Sequence, residues 1–196
     1  MNTNVGVRMD IDSLDTIPDM FAPDGFRFRM YTPGDIDAWV ELYRSADIHN
    51  KITPELFRKE FGNDETVIAQ RMLFLIDEKD GSMAGTSTAW HDPGADAALG
   101  RVHWVAIRPE LQGRGLAKPL LSQTLMTLKK RGHTRAYLIT STARIPAITL
   151  YLKFGFYPVA RTSEESNAWR IIIPEIKQEF RTAVLQGLDR TAADKK

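Results

Sequence analysis

Apolar and polar residues alternate in some segments of the chain and recur at helical spacing in others. The pattern predicts strands at 26–31, 71–77, 83–90, 102–107, 137–142, 156–161 and 168–173, and helices after residue 35, at 54–61, after the 108–114 loop, at 146–154 and from 174. Two strand–helix–strand crossovers lie in the middle of this order, and hairpins precede them. The order predicts an α/β fold in which helices cover both faces of a mixed sheet.

The two ends of the chain differ in composition from its middle. Residues 1–24 contain five Asp and a single Arg, with weak periodicity, which predicts a flexible or loosely docked acidic arm. An arm that covers a cationic cleft is the alternative. Residues 25–173 are predicted to form one domain, and 174–196 a helix and a polar tail. The apolar stripe of that helix suits a monomer or a homodimer.

Composition excludes several classes of protein. The 196 residues include no Cys, so disulfides, thiolate metal sites and an acyl-cysteine intermediate are excluded. A net charge of +1 does not favour nucleic acid as a partner. Apolar runs are too short to span a bilayer and the N-terminus lacks the pattern of a secretory signal, so we expect a cytoplasmic protein without a membrane partner. The four His are not at metal-ligand spacing, and we expect no metal.

The loop after the strand at 102–107 has the composition of a phosphate site. Gly113 and Gly115 allow backbone N–H groups to point inward, and the following helix N-terminus adds partial positive charge. Arg114 and Lys118 add two cations. The spacing is neither a P-loop nor a dinucleotide fingerprint. On the glycines alone, a plain strand-to-helix turn stays open.

Two motifs resemble one family. The segment Gln112-Gly-Arg-Gly-Leu-Ala117 matches the Gln/Arg-x-x-Gly-x-Gly/Ala signature of the GCN5-related N-acetyltransferase (GNAT) superfamily. The segment from Ala147 to Phe156 resembles the Ala-x-x-Leu-Tyr-x-Lys-x-Gly-Phe motif of that superfamily. The mutual spacing of the motifs and the order of elements agree as well, over about three quarters of the chain.

The resemblance implies a GNAT-type acyl-CoA N-acyltransferase fold with a mostly antiparallel central sheet, and acetyl-CoA as the cofactor. The implied cofactor-binding residues are Val105, Ile107, Gln112, Gly113, Arg114, Gly115, Leu116, Ala117 and Lys118. Among these, the loop from Gln112 to Ala117 would cradle the pyrophosphate, and Val105 and Ile107 would offer backbone groups to the pantetheine arm and the acetyl carbonyl. Arg144 departs from the family, which often has Asn there; it could reach an anion or point to solvent.

Acetyl transfer needs a neutral amine, a polarised thioester carbonyl and a proton for the leaving thiolate. Without Cys, direct attack of the amine in a ternary complex is the simplest route. The resemblance makes Tyr151 a candidate acid, and a core tyrosine is the alternative. His103 is the candidate base, because its free pKa is near neutrality and because strand alternation would place it on the face of Val105 and Ile107. A structural histidine, or water as the proton acceptor, stays open.

Three functions compete. The leading hypothesis is an acetyl-CoA-dependent N-acetyltransferase acting on a primary amine of a small molecule or a peptide. A non-catalytic acyl-CoA-binding or regulatory module is the second, and a generic anion-binding domain is the third. The aromatic residues of the first two helices, Trp39, Tyr43, Phe57 and Phe61, are predicted to be core rather than a substrate wall.

Overall fold

The computed structural model describes residues 4–48 and 50–193, with side chains described up to residue 190. Its strands are β1 Gly6–Ile11, β2 Phe26–Met30, β3 Met72–Asp77, β4 Met83–Trp90, β5 Leu99–Ile107, β6 Arg135–Ser141 and β7 Tyr157–Val159. Its helices are α1 Ile36–Ala46, α2 Pro54–Phe61, α3 Glu65–Ala69, α4 Ala117–Lys130, α5 Ile145–Lys153, α6 Ser163–Ile172 and α7 Gln178–Ala193. Contacts divide the chain into two compact units, one of them Thr16–His133 and the other made of the two chain ends.

The unit Thr16–His133 is built on four antiparallel strands in the order β2-β3-β4-β5. Successive residues of β3 point to opposite faces. Phe74 packs into an aromatic cluster with α1, α2 and α3, whereas Leu75 packs with Leu120 of α4. Helices therefore cover both faces of these four strands.

The aromatic cluster forms the core of one face. Trp39, Tyr43, Phe57 and Phe61 are at most 3% exposed, and their rings contact one another at centroid distances of 4.4–5.7 Å. The prediction that these four side chains belong to the core is confirmed.

The other unit contains three antiparallel strands, with β1 between β6 and β7. This differs from the flexible acidic arm expected for residues 1–24, because residues 6–11 are strand β1. Its alternate residues Val7, Met9 and Ile11 are at most 6% exposed. Asp10 bonds the Arg8 guanidinium at 2.6 Å. This ion pair neutralises the polar face of β1. The negative net charge of residues 1–24 therefore did not indicate whether residues 6–11 are ordered.

The prediction of a strand at 168–173 is wrong, because residues 168–172 belong to helix α6 and Ile173 begins a turn of 3-10 helix. Thr162 accepts a hydrogen bond from the Glu165 backbone N–H at 3.1 Å and so caps the helix N-terminus. Trp169 and Ile172 are buried, on one side of the helix. A short apolar run does not distinguish a strand from a helix, and the cap decided the outcome here.

Two further elements differ from the predictions. The single-turn helix α3 was missed, although Asp64 caps it by accepting hydrogen bonds from two backbone N–H groups. The last helix begins at Gln178, after a short turn of 3-10 helix, rather than at 174.

Within the described residues, no helix is long and apolar enough to cross a membrane.

Candidate active site

Strand β5 is interrupted by a β-bulge at Trp104. His103 pairs with Thr88 and Ala106 with Thr86, so that two β5 residues oppose one residue of β4. Trp104 has a φ of +50°, in the left-handed region that bulky side chains rarely adopt. Bulges of this kind redirect side chains and occur frequently next to active sites.

The bulge changes which face each β5 residue occupies. Beyond it, Ile107 packs with α4, whereas Trp104 and Ala106 pack on the aromatic cluster. The His103 ring also lies on the aromatic side, 5.4 Å from the ring of Phe61. The expectation that His103 shares a face with Ile107 is therefore wrong, because the extra residue shifts the alternation by one.

His103 and Trp104 both bond the carboxylate of Glu60 on α2. Trp104 Nε1–H donates to Glu60 Oε2 at 2.9 Å, and His103 Nε2 lies 3.1 Å from the same oxygen. The hydrogen bond from His103 and that from Trp104 lower the pKa of Glu60 to about 2. Burial lowers the pKa of His103, and the nearby carboxylate partly opposes this. The pair is therefore an ionised Glu60 and a neutral His103 at pH 7.

Sequence reasoning missed Glu60. It is separated from Trp104 by 44 positions and lies on a different element, so no local spacing relates the two. Glu60 continues an ordinary amphipathic helix pattern, in which a Glu is expected to face solvent. Only the packing of α2 on β5 reveals its partners.

The glycine loop has the backbone geometry expected of a phosphate site. Gly113 and Gly115 have φ values of +77° and +81°, and a Cβ at either would meet no protein atom within 4 Å. The glycines are therefore required by backbone conformation rather than by a close protein neighbour. Helix α4 follows with no side-chain cap and no acidic residue in its first turn. Pro119 has no N–H, and the Lys118 N–H donates to the Gly115 carbonyl at 3.3 Å. The helix therefore offers an anion the Ala117 N–H.

The neighbouring side chains add charge and support to this loop. Arg114 and Lys118 are exposed, and the Arg114 guanidinium lies 5.2 Å from the Phe26 ring centroid. Leu116 is buried and anchors the start of α4. Gln112 Nε2–H donates to the Ile107 carbonyl at 3.1 Å, which ties the loop to the end of β5. This donor set fits a diphosphate, and the binding roles of these residues remain predictions.

Two other predicted binding residues have less distinctive surroundings. Val105 is half-buried and directly follows the bulged Trp104. Ala117 is half-buried in the first turn of α4. Their contact with a coenzyme stays a prediction.

Tyr151 lies on α5, in the unit formed by the chain ends. Burial raises the pKa of its hydroxyl to about 12, and the charge of Arg144 opposes this rise. The phenol therefore keeps its proton at neutral pH, as an acid must. Arg144 is exposed at the N-terminal end of α5 and provides no side-chain cap. The catalytic role of Tyr151 remains a prediction.

Metal ligands do not gather in the part of the chain that the structure describes. No group of three or more His, Asp or Glu side chains there is arranged to hold an ion.

Comparison with family models identifies one match, the Acetyltransferase (GNAT) family, over residues 36–156. A mycothiol acetyltransferase from Streptomyces coelicolor is 28% identical over 155 residues, covering 76% of this chain and 48% of the relative. One from Catenulispora acidiphila is 31% identical over 150 residues, covering 72% of this chain and 47% of the relative. The chain thus spans slightly less than half the length of these relatives.

Solved structures agree at the level of the fold. A GCN5-related N-acetyltransferase from Sphaerobacter thermophilus has a TM-score of 0.66 at 24% identity, covering 78% of this chain and 48% of that one. The ribosomal-protein-S18-alanine N-acetyltransferase from Escherichia coli has a TM-score of 0.55 at 20% identity, covering 66% of this chain and 76% of that one. The predicted α/β, mostly antiparallel GNAT fold is confirmed.

The family match covers well over half of the chain and includes the β5 bulge, the glycine loop and Tyr151. On this evidence, the chain belongs to the GNAT acetyltransferase family.

Proposed function

We propose that the protein is an N-acetyltransferase that moves the acetyl group of acetyl-CoA to a primary amine by direct attack in a ternary complex. The glycine loop carries this proposal. Its two glycines at positive φ precede an uncapped 14-residue helix, and two exposed cations flank them. Membership of the GNAT family makes a coenzyme diphosphate the anion that best suits this loop.

The residues that would hold the coenzyme are those of the loop and of the adjoining strand. Gly113, Gly115 and Ala117 would surround the diphosphate with backbone N–H groups, and Arg114 and Lys118 would add charge. Gln112, whose N–H donates to the Pro109 carbonyl, would hold the loop in shape through its side-chain bond to the Ile107 carbonyl. When bound, acetyl-CoA supplies an activated thioester. Val105 and Ile107 would contribute backbone groups along the pantetheine arm. Leu116 would keep the helix N-terminus in place.

The backbone at the bulge would polarise the acetyl carbonyl. Because two β5 residues oppose one β4 residue, the bulge disrupts the ladder beside Val105. An N–H group freed in this way can donate to the oxygen that becomes negative in the transition state. Tyr151 would protonate the leaving thiolate, and a pKa raised to about 12 keeps that hydroxyl protonated beforehand.

The acceptor is proposed only as a class, a primary amine on a small molecule or a peptide. The names of the relatives refer to mycothiol in one case and to an alanine of ribosomal protein S18 in the other. Both names are compatible with an amine acceptor. His103 would take the proton of the ammonium, from the face of β5 that packs on α2.

Substitution of Gly115 by Glu tests the proposal. A Glu side chain at a φ of +81° would strain the loop and place a negative charge where the diphosphate should bind. We expect coenzyme A binding, measured by calorimetry, to fall below detection, and acetyl transfer to be lost with it. Thioester consumption with a panel of amines would report the transfer.

The matched control is Gly94→Glu, which introduces the same side chain at an exposed glycine with a φ of +77°. We expect it to bind coenzyme A as the wild type does. Binding by wild type without turnover on any amine would instead favour a non-catalytic acyl-CoA module. Unchanged binding in Gly115→Glu would refute the proposed coenzyme loop.

A further inference from the structure

Helix α2 holds Glu60 rigidly against strand β5. Thr53 caps the helix by accepting a hydrogen bond from the Leu56 N–H at 3.2 Å. Phe57 and Phe61 anchor it in the aromatic cluster, at 0% and 3% exposure. Glu60 therefore lies near the C-terminal end of a well-packed helix, and 25% of the Glu60 side chain is exposed.

The hydrogen bonds at Glu60 determine where the His103 proton lies. An indole N–H only donates, so Trp104 requires an acceptor, and Glu60 Oε2 serves as that acceptor at 2.9 Å. An ionised carboxylate only accepts, so the His103 nitrogen that bonds it must carry a hydrogen. That nitrogen is Nε2, at 3.1 Å. In a neutral imidazole, Nδ1 is then left without a proton.

The other charges around His103 leave Glu60 as the carboxylate in direct contact with it. Arg101 on β5 and Asp92 after β4 also act on His103, with opposite signs. These two side chains bond each other at 3.0 Å, and the effect of Asp92 on the pKa of His103 opposes the larger effect of Arg101. Thr88, the residue paired with His103 across β4, is uncharged.

We propose that Glu60 is a positioning residue, which holds the His103 proton on Nε2 and thereby makes Nδ1 the atom that accepts a proton from the acceptor amine. This proposal rests on the acetyltransferase function proposed above. It also assigns Glu60 a second task, since the same carboxylate oxygen holds the indole of the bulged Trp104, next to Val105.

The resulting proton balance is complete. The ammonium gives one proton to Nδ1 of His103, and the freed nitrogen lone pair attacks the thioester carbon. The C–S bond then breaks, and its electron pair leaves on sulfur. The thiolate takes the hydroxyl proton of Tyr151. Tyr151 then recovers a proton, through solvent, from the second N–H of the attacking nitrogen. The products are an amide, free coenzyme A and one proton released from His103.

Glu60→Gln separates positioning from simple packing. The amide keeps the shape of the side chain and an oxygen that can accept from Trp104, but it loses the negative charge. Because Trp104 and His103 both bond Oε2, one amide oxygen in that place would accept from both and keep the imidazole proton on Nε2. Glu60→Met keeps the length of the side chain but removes this acceptor, so the imidazole proton is free to move to Nδ1. Glu55→Gln is the matched control, because Glu55 lies on the same helix with 78% of its side chain exposed.

Nitrogen NMR of the histidine side chains tests the tautomer without any need for activity. We expect wild-type His103, assigned by comparison with His103→Gln, to carry its proton on Nε2. We expect Glu60→Met to populate the Nδ1–H form, Glu60→Gln to keep the proton on Nε2 and to titrate at lower pH, and Glu55→Gln to match wild type. A wild-type Nδ1–H form, or a tautomer unchanged in Glu60→Met, would overturn the proposal.

Kinetics test the catalytic consequence. We expect Glu60→Met to lower kcat/KM by about 10- to 100-fold and to move the acidic limb of its pH profile to lower pH, and Glu60→Gln to lower kcat/KM less, because it keeps the acceptor. In a His103→Gln background, Glu60→Met should have no further effect, because both substitutions remove one function. Independent, multiplying effects would overturn the proposal.

The two proposals fail in distinguishable ways. If wild type acetylates no amine and binds no coenzyme A, the acetyltransferase function fails. The NMR result would still decide whether Glu60 sets the tautomer of His103.

Discussion

Trp104 shows how one residue can set the chemistry of its neighbours. A bulky residue at a φ of +50° is held there at a cost of roughly 1–3 kcal/mol, which the surrounding structure must offset. Its indole packs 5.2 Å from Trp39 and 5.0 Å from Tyr43, and it donates to Glu60. These contacts hold the bulge that turns His103 toward α2.

At the same scale, Tyr151→Phe tests the proposed acid. Removal of the hydroxyl takes away the proton donor and leaves the ring in its buried position. We expect kcat to fall by about 10²-fold, with coenzyme A affinity unchanged. With a pKa of about 12, the wild-type hydroxyl should cause no loss of kcat up to about pH 10.

Tyr157→Phe is the matched control for this substitution. Tyr157 lies on strand β7, and its hydroxyl donates a hydrogen bond to Asp12 at 2.5 Å. We assign this hydroxyl no catalytic role. Its kcat should equal that of wild type. A kcat for Tyr151→Phe equal to that of Tyr157→Phe would assign Tyr151 to the core alone.

Elements were predicted well where their pattern was long, and poorly where it was short or charged. Strand β4, Met83–Trp90, has the predicted bounds, and its small, Thr-rich sequence lies between two partner strands. Strand β1 was hidden by the Asp-rich composition of residues 1–24, although Val7 and Met9 alternate with polar residues. For α6, a Thr cap outweighed an apolar run that was read as a strand.

Met9→Ala tests whether β1 is part of the folded unit. Met9 is 0% exposed, so its truncation should lower the free energy of unfolding by about 2–5 kcal/mol. A loosely held arm would show no effect. Urea unfolding followed by circular dichroism measures the change. Phe21→Ala, at a side chain 83% exposed, should leave stability unchanged.

Acid lability of the whole chain should depend in part on Glu60. Its pKa is lowered from 4.5 to about 2, so the stability it contributes is present above pH 4.5 and is lost as the pH falls toward 2. The titration of His103 also lowers the stability of the folded chain as the pH falls. Burial lowers its pKa from 6.5, so protonation of the unfolded chain below that pH favours unfolding.

Urea unfolding at pH 7, 5 and 3 measures this dependence. Glu60→Gln should lose less stability between pH 5 and pH 3 than wild type does, because its amide does not titrate. The control Glu179→Gln changes an exposed carboxylate in the first turn of α7 and should follow wild type. An equal loss of stability in wild type and Glu60→Gln would contradict the assignment of Glu60.

The sequence by itself determined the fold class and the glycine loop. Both depend on local patterns, since Gly113 and Gly115 are needed for a backbone conformation that few other residues adopt. Only the tertiary structure decided the face of His103 and the hydrogen-bond partners of Glu60. The bulge at Trp104 reverses strand alternation, and a contact across 44 positions between α2 and β5 has no signal in local spacing.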